Sequence, residues 1–583
     1  MIRENGLGKK NSCHCVGLRY ISRFLMPIVS VCCIQAWAEE LTSASGETKT
    51  VTAGTYTASQ DLTFGALQVA ASPVIFDFSA NPSRKVVFNG TSKTAFAVEK
   101  SDAEVVFKGG EWVGSGDSVD SFYCGFTASA DNSRVLLDSC TWTNLSRLYV
   151  GNYASNCRLT LNNNSRFYAS DCFLMRRSGA SGAELNVLGG SGLYFASDAT
   201  PFRTDNDEGN SSGRITVAGA GSILSAPYSE FRLGYKTANH CLSVSNGASL
   251  VANKFIVGVN DTATDSQVLV ADGATLTAAD ISIRNSGCCM TVSNATLTVD
   301  STAVDAIKVG YTGRTGGSFV LSGKDAQINY NPSGNVDVFA ADSGGAEFRI
   351  ENGATWEVDA TQIASKTSNS VFRVGYGGTF RARDNNRLQF GPAGDDNADP
   401  ACSLSNRLEV CDGGNLEFGS IRFSGSGNML IVSNGLIKCG QIQIGYNRPY
   451  WINTSKVKSK DCALVLRGER GQIDAPNGAL QVQNGSVLRF EVPEDGYESD
   501  IIPLKVKMLS FAEGTKMEID CEAFMYKGGK VTLVEVTEKD GFKNANNMIA
   551  AVNDSLPQGC YLSVIGKKLM LTCSKRRFVF SIR

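Results

Sequence analysis

The sequence predicts an all-β chain wound as a right-handed parallel β-helix, a β-solenoid, with a small β-rich cap at its C-terminal end. The first observation is a turn phrase, apolar-x-Val, a small residue, Asn or Asp and usually Gly, followed by another alternating run. It reads LSVSNGASL at 242–250, VLVADGATL at 268–276, MTVSNATL at 290–297, FRIENGATW at 348–356, LEVCDGGNL at 408–416, MLIVSNG at 429–435 and LQVQNGSVL at 480–488. With Asn246, Asp272, Asn294, Asn352, Asp412, Asn434 and Asn484 as markers, the steps are 26, 22, 58, 60, 22 and 50 residues. The three long steps are double ones, and Ser322–Asp325 sits where the first missing turn belongs. A period of 22–30 residues of short strands without a helical pattern is the mark of stacked coils.

The second observation is a further marker interleaved with the first. Segments ending in Gly or Gly-Tyr recur as LYVG (148–151), RLGY (232–235), FIVGV (255–259), IKVGY (307–311), FRVGY (372–376) and IQIGY (442–446). Each repeat therefore holds at least two strands and two corners, with Gly and Asn at corners because they tolerate φ > 0. Apolar residues alternate within each run, as in Leu242 and Val244 or Ile307 and Val309, so one face points inward. Stacked coils also stack like residues, which predicts a partial Asn ladder, inside or at a corner, through Asn246, Asn294, Asn352 and Asn434. Handedness is taken from the rule for parallel crossovers.

Composition agrees with one elongated domain. The 583 residues include 60 Gly and 13 Pro, and in a solenoid the core does not thicken with length. A net charge of −2 and pI near 6.0 supply no basic field, which excludes nucleic acid as a partner.

Residues 1–38 read as a signal peptide. Lys9, Lys10, Arg19 and Arg23 precede the apolar run 24–34, and Ala36-Trp37-Ala38 supplies the small residues of a cleavage site. The run is too short for a membrane span, and no later stretch would cross a bilayer. The mature chain is expected outside the cytoplasm, extracellular or at the cell surface, with the periplasm as a further compartment.

Residues 39–495 are expected to form the solenoid, its first runs capping the N-terminal edge. Polar excursions at 197–213, 391–403 and 448–461 read as surface loops. Residues 496–583 are expected to form a β-rich capping region with strands at 504–511, 516–520 and 530–536, a helical stretch near 544–553 and a last hairpin.

That hairpin is specified closely by CYLSVIGKKLMLTC at 560–573. A two-residue loop at Gly566-Lys567 pairs Ile565 with Lys568, Val564 with Leu569 and Leu562 with Leu571. The same register sets Cys560 opposite Cys573 at a non-hydrogen-bonded site, where Cα atoms lie about 4.5 Å apart, and predicts a disulfide. Fourteen of the 18 Cys lie beyond residue 38, and the others read as small buried residues of the coils. None has the CxxC spacing of a zinc or redox centre.

Around this hairpin a resemblance enters. The ending L-P-x-G-x-x-L-x-V-x-G-x-x-L-x-L-T, carried here by Leu556, Pro557, Gly559, Leu562, Val564, Gly566, Leu569, Leu571 and Thr572, resembles the close of secreted proteins with autotransporter-type passenger repeats. KGGKVTLVEV at 527–536 resembles the strand that precedes it there. The resemblance implies a surface or secreted solenoid, and it brings no catalytic residue. No alternating strands of a membrane β-barrel follow, so self-transport is not expected.

Two functional classes follow. One is an exported non-catalytic adhesin or structural solenoid; the other is a carbohydrate-active β-helix enzyme, a polysaccharide lyase or glycoside hydrolase. Fold alone does not choose. A hydrolase needs two carboxylates across a groove, and a Ca²⁺-assisted lyase needs several carboxylate oxygens and a base. Asp395-Asp396 read as a solvated turn, while Asp205, Asp207 and Glu208 miss the Asp-x-Asp-x-Asp-Gly spacing of a Ca²⁺ loop. His240, the one His beyond residue 38, reads as a hydrogen-bonded loop residue. The expectation is a non-enzyme without catalytic residues, cofactor or metal. Its most concrete binding surface is a row of Tyr235, Tyr311, Tyr376 and Tyr446, which would meet sugar rings by packing and hydroxyl hydrogen bonds.

Overall fold

The computed structural model describes residues 39–575, apart from 91–92, 116–119, 178, 197–199, 206–211, 333–335, 360, 365, 393–402 and 447–458. The segment expected to be a signal peptide therefore lies outside the described residues, as do Asp207, Glu208, Asp395 and Asp396. The fold is an all-β, right-handed parallel β-helix.

Two walls enclose one core. The first wall is a 19-stranded sheet of short strands, typified by Cys241–Ser245, Gln267–Ala271 and Cys289–Ser293 in parallel register, Leu242 beside Val268 beside Met290. The second wall is a 16-stranded sheet reaching Gln327–Tyr330 followed by an 11-stranded sheet that starts at Thr355–Val358. Many of its strands are long and bent, such as Ile223–Leu233 and Gln472–Val482, with register shifts at the bend. Inward residues alternate along both walls and stack on their equivalents one coil away. Phe319, Phe348 and Phe372 form such a ladder with ring centroids 4.8 and 5.0 Å apart. Outward residues pair across rungs, Arg373 with Glu409 and Arg489 with Glu518, each at 2.6 Å.

Corners follow from backbone conformation. The residue after a first-wall strand is left-handed in coil after coil, with Asn163, Asn246, Asp272, Asn294, Asn352, Asp412 and Asn434 at φ between 47° and 57°. A second left-handed column lies two residues before most first-wall strands, as at Asn132, Asn156, Asn239, Asp265, Asn369 and Asp461. Asn and Asp enter αL at lower cost than other side chains, and that requirement generates the period seen in the sequence. Asn246, Asn294 and Asn352 are exposed at the corner and do not line the interior. Asn406 and Asn428 form a buried asparagine pair: the Asn406 backbone N–H donates to Asn428 Oδ1 at 2.9 Å, and Ser370 N–H donates to Asn406 Oδ1 at 2.9 Å.

Two phrases change corners. FRVGY belongs to the first wall, because Phe372 pairs with Phe348 and Leu408, so Tyr376 takes the turn position of Asn352 at φ 49°. LQVQNG belongs to the second wall, because Leu480 pairs with Ile442 of IQIGY. Both corners demand a left-handed residue, and Gly-Tyr and Asn-Gly satisfy that demand equally well.

The coils also run further than residue 495. Leu504–Phe511 pairs in parallel with Gln472–Val482, and Lys516–Asp520 with Val487–Glu491, so the cap begins at Cys521. Within the excursion 197–213, Phe202–Asp205 is a strand between Arg166–Met175 and Ile223–Leu233.

The cap closes both edges. Gly529–Val536 adds to the second wall in parallel and then pairs antiparallel with Lys568–Cys573, which stops further parallel addition. The helix Asn546–Ser555 packs against Lys516–Asp520, the last strand of the first wall. Asn553 ties that helix to the hairpin, its Nδ2 donating to Leu562 O at 3.1 Å while its Oδ1 accepts from Leu562 N–H. In the hairpin Ile565 pairs with Lys568, Leu562 with Leu571, and Cys560 is disulfide-bonded to Cys573 with Cα atoms 4.1 Å apart.

Candidate functional site

The four tyrosines named from the sequence do not form a row. Tyr235 and Tyr311 follow second-wall strands, but Leu233 is linked to Val309 only through Val257 and Ile283. Three rungs separate them, about 14 Å at the usual strand spacing. Tyr446 lies further along the same wall, and Tyr376 sits on the other corner. Arginines cover ring faces of three of them, while Tyr376 is 57% exposed. Arg203 and Arg232 lie 4.7 and 5.3 Å from the Tyr235 centroid, Arg284 and Arg314 lie 4.6 and 4.7 Å from that of Tyr311, and Arg422 lies 4.7 Å from that of Tyr446. These cation–π contacts fasten the corner and leave little open ring for a ligand.

A cluster of exposed tyrosines lies elsewhere on the second wall. Tyr168, on Arg166–Met175, pairs in register with Tyr194 on Gly192–Phe195, and their rings stack at 4.7 Å and 13°. Ser225 is next along the ladder. Just beyond it the strand Ile223–Leu233 shifts register between Ala226 and Glu230, and this bulge carries Pro227 and Tyr228 outward. Tyr168 is 41% and Tyr228 64% exposed. Together they border a groove of about 320 Å³ with Asn144 and Ser225 at its margin and Leu145, Ala169 and Phe195 along its floor. Among the described residues no carboxylate lines it. Tyr194 is held in place from beneath, since a Cβ on Gly192 would fall 2.4 Å from its ring. Flat aromatic faces beside amide and hydroxyl groups suit the apolar face and hydroxyls of a sugar ring.

Sequence reading missed this groove. Outward tyrosines on strands carry no periodic signal of their own, and only the register between RFYA and GLYF shows that they meet.

A second groove, of about 430 Å³, occupies the matching bend further along and is lined by Asn385, Glu417, Lys438, Asp474 and Asn477. Glu417 accepts from Lys438 Nζ at 3.2 Å. This groove brings two carboxylates and a lysine to one concave surface, and a further groove of about 350 Å³ in the cap region does the same with Glu498, Asp500, Lys530 and Lys568.

His240 stands in the interior column just before a first-wall strand and is fully buried. Its Nδ1 accepts from Gly213 N–H at 3.1 Å, so the network assigns the proton to Nε2, which faces Thr237 Oγ1 at 2.9 Å. Thr237 Oγ1 donates in turn to Asp205 at 2.8 Å, and Asp205 also accepts from the N–H groups of Tyr235, Lys236 and Thr237. Asp205 thus serves as a buried turn anchor.

Burial holds the His240 imidazole below its ordinary value of 6.5, against the opposing pull of Asp205. The unfolded chain therefore binds a proton that the folded chain resists. Stability from this group is complete above pH 6.5 and falls as pH drops from 6.5 through the depressed folded value, at most about 1.4 kcal/mol per pH unit. Thermal melts between pH 7.5 and 5 should show the midpoint of this region falling, and His240→Gln should flatten the slope. An equal slope in the variant would remove His240 as the cause.

Four of the free cysteines are deeply placed in the coils. Burial pushes the thiols of Cys140, Cys157, Cys439 and Cys462 up to about 12. Among the described residues no helix is long and apolar enough to cross a membrane.

No family model and no curated protein matches this chain. Among solved structures, the crystal structure of a TibC-catalyzed hyper-glycosylated TibA fragment is similar at 12% identity and a TM-score of 0.24, covering 67% of this chain and 97% of that one. The fold assignment here rests on the strand pairing itself.

Proposed function

We propose that this protein is an exported, non-catalytic β-solenoid of the passenger-repeat kind that serves as an adhesin or structural element at the cell surface and contacts glycans along its second wall. The observation that carries this reading is the open groove of Tyr168, Tyr194 and Tyr228, apolar in its floor and polar at its rim, with no lining carboxylate among the described residues. The leader-like first 38 residues and the closing phrase at 556–572 support export and a surface role.

The test is a glycan-binding screen with the chain from Glu39 onward. Tyr168→Ala with Tyr228→Ala should weaken the best glycan at least about tenfold, as expected for two lost ring contacts of about 1 kcal/mol each, while circular dichroism and melting stay close to wild type. Undiminished binding by the folded double variant would sink the glycan site. A carbohydrate-active enzyme is the competing reading, and Glu417 and Asp474 in the second groove are the groups that would carry it. Product release from acidic polysaccharides by wild type, abolished in Glu417→Gln or Asp474→Asn, would favour the enzyme.

A further inference from the structure

A third cysteine lies against the terminal disulfide. Cys521 Sγ is 3.9 Å from Cys560 Sγ, and the thiol-bearing atoms of Cys521, Cys560 and Cys573 all lie within 4.8 Å of one another. All three residues are buried, at 1%, 9% and 3% exposure. Their positions in the chain are unlike. Cys521 directly follows Lys516–Asp520, the last strand of the first wall, whereas Cys560 and Cys573 belong to the hairpin that ends the second wall.

We propose that Cys521, Cys560 and Cys573 form an internal thiol–disulfide exchange site in which Cys560 is the shared sulfur. The Cys521 thiolate attacks Cys560 Sγ, the Cys560–Cys573 bond breaks, and its electron pair leaves on Cys573 Sγ, which takes up the proton Cys521 gave away. One disulfide and one thiol are present before and after, so no oxidant or reductant is consumed. The consequence is mechanical. A bond between 560 and 573 closes only the hairpin, while one between 521 and 560 spans the helices Glu522–Lys527 and Asn546–Ser555 and ties the ends of the two walls together. Exchange thus moves the cross-link from a local staple to a clasp over the solenoid's end. Burial raises the Cys521 thiol above its ordinary range, which keeps the attacking form scarce at neutral pH and makes exchange slow there. The inference is independent of the glycan reading.

The experiment is disulfide mapping of the folded chain after incubation at pH 7 and pH 9, with acid quench, denaturation, alkylation and peptide mass spectrometry. The expected result is alkylation of Cys521 at pH 7, with Cys573 gaining at least about a tenth of the label at pH 9 and a 521–560 cross-linked peptide appearing with it. Label that, within the trio, stays confined to Cys521 at both pH values would overturn the proposal; the other free cysteines are labelled throughout. Cys573→Ser gives a second reading. In a glutathione redox buffer it should form the 521–560 bond, whereas a free Cys521 beside a glutathione adduct on Cys560 would overturn the proposal. Should that variant fail to fold, the wild-type mapping decides by itself.

Discussion

Trp142→Ala is expected to destabilise its part of the solenoid by about 3–5 kcal/mol, the range for removing a buried large aromatic side chain. Trp142 is fully buried and stacks on Trp112 one coil away at 5.2 Å and 11°. It also meets Phe107 at 5.3 Å and Phe122 at 4.9 Å, both edge-on, and Phe88 at 5.8 Å, so one ring joins both walls of three coils. Each aromatic pair adds about 0.5–1.5 kcal/mol beyond buried area. Trp142 Nε1 has no hydrogen-bond partner among the described residues, so Trp142→Phe loses ring area but no hydrogen bond and should cost less than half as much. The spatial prediction is the sharper one. Coils in a solenoid interact with nearest neighbours, so hydrogen exchange should accelerate from about residue 85 to 195 and stay at wild-type levels beyond residue 240. Uniform acceleration along the chain would refute the nearest-neighbour picture.

That same stacking explains which parts of the structure were legible in the sequence. A coil repeats its corner requirement at fixed intervals, and a left-handed corner admits few residue types, so Asn246, Asp272 and Asn294 announced the period. Which corner each phrase occupied was not legible, since VFRVGYGG and LQVQNG both satisfy αL and only pairing partners tell them apart. The terminal hairpin was legible to the residue because a two-residue loop fixes every cross-strand pair, Cys560 and Cys573 included. The cap boundary was less so. Lys516–Asp520 reads like any short strand, and its membership in the first wall depends on its parallel partner Val487–Glu491. The candidate groove required two facts absent from local sequence, the register that stacks Tyr168 on Tyr194 and the bulge that lifts Tyr228 above them. The tyrosine row failed for the converse reason, because similar local phrases sat three rungs apart or on different corners.

Gly478→Ala should be among the most damaging single-methyl changes in this chain. Gly478 lies where Gln472–Val482 bends, inside the register shift between Ala475 and Ala479. A Cβ there would fall 1.1 Å from Gly440 O and 2.2 Å from Gly440 C. The crowding continues down the bend, since a Cβ on Gly440 would meet Gly419 O at 2.5 Å and one on Gly419 would meet Asn385 O at 1.6 Å. These glycines allow successive backbones to close together at the bend, and no flexible side chain stands there to move aside. Adding a methyl group forces the coils apart against the parallel ladder on either side, an overpacking cost of about 3 kcal/mol or more. Gly485 supplies the control. Its Cβ would meet nothing nearer than 3.7 Å, but its φ is +69°, so Gly485→Ala carries only the left-handed strain of about 1–2 kcal/mol. Denaturant melts should therefore rank Gly478→Ala well below Gly485→Ala in stability, with hydrogen exchange opening around residues 436–511 in the former. Equal losses in the two variants would mean that the bend relaxes freely and that close backbone approach is not what selects glycine there.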